Sequence, residues 1–196
     1  MDLITHGALG AALAASLAPS HQRRIATVVG LIGGMLPDAD ALIQSPDDVL
    51  MVLDYHRHFT HALAFVPLGA LITALMLWPI LRRKLGFAQV YLYSLSGYGM
   101  AGLLDACTSY GTHLWLPFSE RKEAWNLIAV FDPFFTLLLL APLIWAQVRP
   151  KRDLAPIGLV LAASYLGLGL LQHHRAETAL REVLSVRSTI SMAFAA

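Results

Sequence analysis

Four short polar clusters carry most of the imidazoles and carboxylates of this chain: His6 in "THG", Asp38 and Asp40 in "LPDAD", His56, His58 and His61 in "YHRHFTH", and Asp105 with His113 in "LLDACTSYGTHLWLPF". Mixed nitrogen and oxygen donors of this kind suit a divalent transition metal, zinc first, with manganese or iron(II) as alternatives and one or two ions as the expected number. Such an ion lowers the pKa of a bound water from about 15.7 to about 7, which is the chemistry of hydrolysis at neutral pH. Each cluster also has a plainer reading. Asp38 and Asp40 can direct two carboxylates at one cation if the chain after Pro37 is extended, or simply cap the segment "ADALIQS". His58 and His61, three residues apart, would share a helix face, whereas His56 and His61 need a break between them. Thr60 is a good cap, so His61 is expected to open the helix that follows. Asp105 ends an apolar stretch, where an ionised carboxylate is costly without a cation or a donor; Thr108, Ser109 and Tyr110 are the hydroxyls that can orient it or satisfy it without any metal. Arg57 either steadies a phosphoryl group and recruits an anionic head group or is an interfacial arginine with its stem in lipid. Asp132-Pro133 reads either as an interfacial kink lining the cavity or as a helix start with proline in its first turn, and His173 and His174 read as solvated.

The elements that must position these residues are apolar. The chain is 57% hydrophobic and 14% charged, with a mean hydropathy of +0.60, against about 25% charged in soluble domains. Apolar segments run over residues 4–18, 25–36, 62–81, 87–104, 127–148 and 154–171. The first two are shorter than the ~20 residues of a span, so they must tilt, extend into polar flanks or pack inside a bundle. The short connections "SHQRR", "RRKLG" and "RPKRD" hold eight of the fourteen basic residues, which marks that face as cytoplasmic. All acidic residues but Asp153 and all histidines but His21 fall towards the opposite face. The expected fold is therefore an all-α, polytopic membrane helical bundle of about six apolar segments, with polar metal-site loops on one face. Residues 1–172 form the membrane-embedded domain and 173–196 an amphipathic C-terminal helix on the bilayer surface. The N-terminal apolar run lacks a basic n-region and reads as a retained helix. No lysine or arginine stripe interleaves with aromatics, so nucleic acid is not an expected partner; the lipid bilayer is, and the sequence leaves the oligomeric state open. Cys107 alone supports neither a disulfide nor a cysteine-rich zinc site.

Taken in order, "THG" at 5–7, "LPDAD" at 36–40, "HRHFTHA" at 56–62, "LLDACTSYGT" at 103–112, "LPFSERKEAWN" at 116–126 and "DPFFT" at 132–136 resemble the YdjM-like family of bacterial membrane-bound metal-dependent hydrolases. The resemblance covers the chain to about residue 145, and that family is distantly similar to zinc-dependent phospholipase C. It implies ligand roles for His6, Asp38, Asp40, His56, His61 and Asp105, and phosphate-ester hydrolysis. The chain departs from the pattern at His58, usually a small residue, at Ala62, usually serine, and at Ala101, usually a histidine four residues before the last aspartate. His58 and His113 are the candidates to replace that histidine.

The expected activity is hydrolysis of a lipid or lipid-linked phosphate ester at the outer face of the bacterial inner membrane, with Arg57 and Asp40 in catalytic roles, Asp40 or Asp38 bridging ions if there are two. The alternative is a transporter passing a cation or proton through the same His/Asp cluster; a third reading is a structural protein whose metal clips loops together. His-Glu-x-x-His, Gly-x-Ser-x-Gly and Ser-Gly-His signatures are absent.

Overall fold

The computed structural model describes residues 1–45, 51, 56–148 and 154–195. Among them are six α-helices: α1 (Leu3–Leu17), α2 (Arg23–Met35), α3 (Val66–Leu81), α4 (Phe87–Ala106), α5 (Pro133–Val148) and α6 (Ala155–Ala195). No strand forms among the described residues; two isolated bridges, Thr108 to Ile128 and Thr112 to Glu123, tie the loops after α4. The all-α class is as expected. Three helical stretches, Arg23–Leu42, Leu63–Leu81 and Ala155–Ser185, are long and apolar enough to cross a membrane, while α1 and α5 are apolar but shorter.

Helix α1 is short because it is a core element. Ala8, Ala11, Ala12, Ala14 and Ala15 are fully buried, and its glycines let backbones touch. A Cβ on Gly30 of α2 would lie 2.3 Å from the Gly10 carbonyl oxygen, so only glycine permits this crossing, the small-residue packing typical of apolar helix pairs. Around α1 the interior continues through Leu104, Phe135, Leu139 and Ala162, which bring α4, α5 and α6 together. A second apolar cluster, including Ala18, Val29, Ala74, Val90 and Tyr93, closes the other end of the bundle.

Three expectations change at the helix ends. The segment expected over 127–148 becomes helical only at Pro133. Asp132 Oδ1 accepts the Phe135 N–H at 3.0 Å and its Oδ2 accepts the Tyr165 hydroxyl at 2.8 Å, so Asp132 caps α5, as the Asp-Pro pair suggests. His61 does not open the third helix. It lies in a short 3-10 turn, Phe59–His61, and a second turn, Leu63–Phe65, precedes α3. The chain also runs through residues 172 and 173 as one α6 of 41 residues, about 60 Å long at 1.5 Å per residue. No glycine or proline follows Gly169, so nothing in the backbone breaks the helix there.

The start of α2 and the end of α5 meet through the Arg24 guanidinium, which donates to the Gln147 carbonyl at 3.3 Å. This end carries "SHQRR" and "RRKLG"; Arg149, Lys151 and Arg152 of the third basic connection lie outside the described residues. At the opposite end meet the beginning of α1, the end of α2, the approach to α3 and the end of α4, where the polar clusters sit.

Candidate metal centre

Pro37 sets up a 3-10 helix, Leu36–Leu42, directly after α2. In so tight a turn residues two apart diverge, so Asp38 and Asp40 do not face one cation as an extended chain would allow. Instead they bracket one imidazole. Asp38 Oδ1 lies 3.5 Å from His61 Nε2 and Asp40 Oδ2 lies 3.3 Å from His61 Nδ1. Backbone contact fixes the neighbours: a Cβ on Gly34 would sit 2.4 Å from the His6 carbonyl oxygen, and one on Gly102 would sit 2.1 Å from that of His61. The Tyr98 hydroxyl donates to the Thr60 carbonyl at 2.9 Å, holding the His61 turn against α4.

His6, Asp38, His61 and Asp105 each bring one ligand atom into a group in which all four atoms lie within 4.8 Å of one another. His6, His61 and Asp105 are 1%, 1% and 0% exposed, so this polarity is shielded from water. His6 Nδ1 is 2.7 Å from Asp38 Oδ2. A carboxylate only accepts, so Nδ1 carries the proton and His6 Nε2 presents a lone pair. His61 Nδ1 faces the Thr60 hydroxyl at 3.0 Å, and that hydroxyl donates to Asp40 Oδ2 at 2.7 Å; by the same argument the neutral form of the His61 ring leaves Nε2 bare. His6 Nε2 and His61 Nε2 are buried and make no hydrogen bond, and the two buried Asp105 oxygens are met only by ion pairs, from the Met1 amino group and from Arg57 Nε. The imidazole nitrogens face these oxygens at 3.2 Å (His6 Nε2 to Asp105 Oδ1) and 3.3 Å (His61 Nε2 to Asp105 Oδ2). Lone pairs and carboxylates converging in a dry interior need positive charge among them; Arg57 and the Met1 amino group supply it to Asp105, and a metal ion would supply it to the two imidazole nitrogens. Two imidazole nitrogens and two carboxylates at these separations can hold a metal ion.

Arg57 completes the chamber. Its backbone takes φ 60°, its N–H donates to Asp40 Oδ2 at 2.9 Å, and its carbonyl accepts the Thr112 hydroxyl at 3.0 Å. The side chain, 3% exposed, reaches Asp105 Oδ2 with Nε at 3.1 Å, the Thr108 hydroxyl and the Met1 carbonyl. The Met1 amino group contacts Asp105 Oδ1. Burial acts to lower the pKa of His61, but the Asp38 and Asp40 carboxylates on either side of its ring outweigh it and the pKa is raised.

The other sequence candidates take different places. Asp40 stands behind His61, and its Oδ1 holds His56 Nδ1 at 2.9 Å; His56, outside the four-residue group, is 28% exposed at its side chain. His58 and His113 also lie outside it and pack on each other, ring centroids 5.3 Å apart, with His113 Nδ1 donating to the Glu120 carbonyl at 2.8 Å. Ala101, one turn before Asp105, is buried. Thr108 donates to the Asp105 backbone carbonyl at 2.7 Å rather than to its carboxylate. The sequence pointed to Thr60 only as a cap, and nothing in it pointed to Tyr98, Gly34 or Gly102.

A family model described as YdjM inner membrane protein matches residues 1–176. An uncharacterized protein of Bacillus subtilis (strain 168), YfhP, is 29% identical over 196 residues, which cover 94% of this chain and 58% of the relative. The chain thus spans rather more than half the length of that relative. No solved structure matches the chain.

Proposed function

The chain belongs to the YdjM inner membrane protein family, and from that premise and the buried donor group we propose that it is a membrane-bound, metal-dependent hydrolase of a lipid or lipid-linked phosphate ester, with its site at the extracytoplasmic face. One observation carries the reading: one ligand atom from each of His6, Asp38, His61 and Asp105 lies within 4.8 Å of the other three, with Nε2 of both buried imidazoles free of hydrogen bonds and a buried arginine beside them. These four residues would hold a single ion, zinc by its donor set, which when bound would supply an acidified water and Lewis acidity towards a phosphoryl oxygen.

The chain's own groups do the rest. Asp40 fixes the proton of His61 on Nδ1, keeping Nε2 available as a donor atom, an orienting role that carboxylates commonly play behind ligating histidines. Arg57, locked by Thr108 and the Met1 carbonyl, presents a fixed positive charge to a phosphoryl group, and no reorganisation is needed as charge develops there. His56, with Nδ1 held by Asp40 and its ring partly exposed, can deliver a proton from Nε2 to a leaving oxygen. A lipid substrate is supported by an apolar cavity of about 400 Å³ lined by Leu9, Met100, Leu104, Cys107, Trp125 and Leu166. Leu104 adjoins Asp105 in sequence, and the cavity extends from there along α1, α4 and α6.

Metal analysis of the full chain purified without chelators tests the reading. Stoichiometric metal is expected, lost in His61→Ala and Asp38→Ala with helicity intact, together with hydrolysis of phosphoesters in detergent. A metal-free parent sinks the proposal. Cation flux in proteoliposomes without any hydrolytic turnover would replace it with the transporter reading.

A further inference from the structure

A second charged constellation lies outside the donor group. Lys122 Nζ is 3.8 Å from the centroid of the Tyr110 ring, and the Arg57 guanidinium carbon is 4.8 Å from the same centroid. The position is built by the backbone. Thr112 and Glu123 exchange N–H···O bonds of 3.0 and 2.9 Å, and Gly111, at φ +71°, is glycine because a Cβ there would meet the Glu123 carbonyl oxygen at 2.4 Å. That zipper sets Lys122, next to Glu123, against Tyr110.

Two cations sharing one aromatic ring repel each other, and burial together with the Arg57 charge lowers the Lys122 pKa. Arg57 has Asp105 as its counter-ion. Lys122 has none among the described residues. The nearby carboxylate of Glu123 is engaged by Arg121 at 3.2 Å and by the Trp115 indole N–H at 3.0 Å. Excess positive charge is thus held in place at the rim, and exposure falls step by step inward: Lys122 is exposed, Tyr110 is 36% exposed, Arg57 is 3% exposed, and Asp105 is 0% exposed.

We propose that Lys122, Tyr110 and Arg57 form an anion-binding subsite at the mouth of the donor group, which takes a phosphate group and delivers it to the buried Arg57. The Lys122 ammonium and the Tyr110 hydroxyl donate to the phosphate oxygens, and the anion offsets the repulsion between the two cations. The inference deepens the hydrolase reading by naming the group that is recognised, and rests on that reading only for the chemistry after binding.

The test is calorimetric titration of the full, metal-loaded chain in detergent with two probes, inorganic phosphate and dihexanoyl phosphatidic acid. Lys122→Met is expected to weaken binding about tenfold and Lys122→Arg to keep it within about threefold, with metal content and helicity unchanged. Tyr110→Phe, which retains the ring, is expected to lose less than Lys122→Met. Loss with both probes identifies the phosphate group itself as the ligand, and loss with phosphatidate alone identifies a lipid head group; each supports the subsite. Affinity unchanged in Lys122→Met for both probes overturns it. Phosphoester hydrolysis alongside unchanged phosphate affinity in Lys122→Met would leave the hydrolase reading standing without the subsite. Lys122-dependent phosphate binding in a chain that hydrolyses nothing would do the reverse.

Discussion

At the scale of single residues, the imidazole of His61 is the pivot: Asp38 and Asp105 address its Nε2 and Asp40 stands behind its Nδ1. Removing a donor and removing its support should therefore differ. Asp105→Asn is expected to abolish stoichiometric metal, whereas Asp40→Asn should lower metal affinity about 10–100-fold without abolishing it, as read by competition with a chromophoric chelator. The same pivot sets the pH dependence. The His61 pKa is raised in the metal-free protein, so a proton occupies the imidazole at pH values above its ordinary range near 6.5. Metal must displace that proton. Affinity should accordingly rise with pH up to and through neutrality, level off above the raised pKa, and fall on acidification, with protons released on binding; titration in two buffers of different ionisation enthalpy measures the release.

At the scale of elements, glycine decides where the donors sit. Gly34 and Gly102 let α2 and α4 approach the backbones of His6 and His61 more closely than any side chain permits. Gly102→Ala is expected to cost about 1–3 kcal/mol through overpacking and to weaken metal binding because the His61 turn must move. Gly167 provides the contrast: a Cβ there meets nothing within 4 Å, so Gly167→Ala should stabilise α6 by about 0.5–1 kcal/mol with metal affinity unchanged. Thermal unfolding followed by circular dichroism in detergent, with metal titration alongside, separates the two outcomes.

At the scale of the whole molecule, the two described basic connections, "SHQRR" and "RRKLG", and the donor group occupy opposite ends of the bundle. With Cys107→Ser as background, a membrane-impermeant maleimide on intact cells is expected to label Ser119→Cys and not Lys84→Cys; the reverse pattern would invert the proposed orientation. The chain by itself determined the helical, apolar character, the approximate helix limits, the segregation of basic from acidic and histidine residues, and the residue types of the donor group, because hydropathy, charge and ligand chemistry are local properties of side chains. Even the short first helix was legible as an anomaly. Which candidates meet was not legible. Asp38 and Asp40 look equivalent in "LPDAD", and His56, His58 and His61 look equivalent in "YHRHFTH". Only the tertiary structure separates donor from support, because a 3-10 turn at Pro37 splays the carboxylates to the two sides of one imidazole, and because backbone contacts at Gly34 and Gly102, made between residues far apart in the chain, fix which atoms converge.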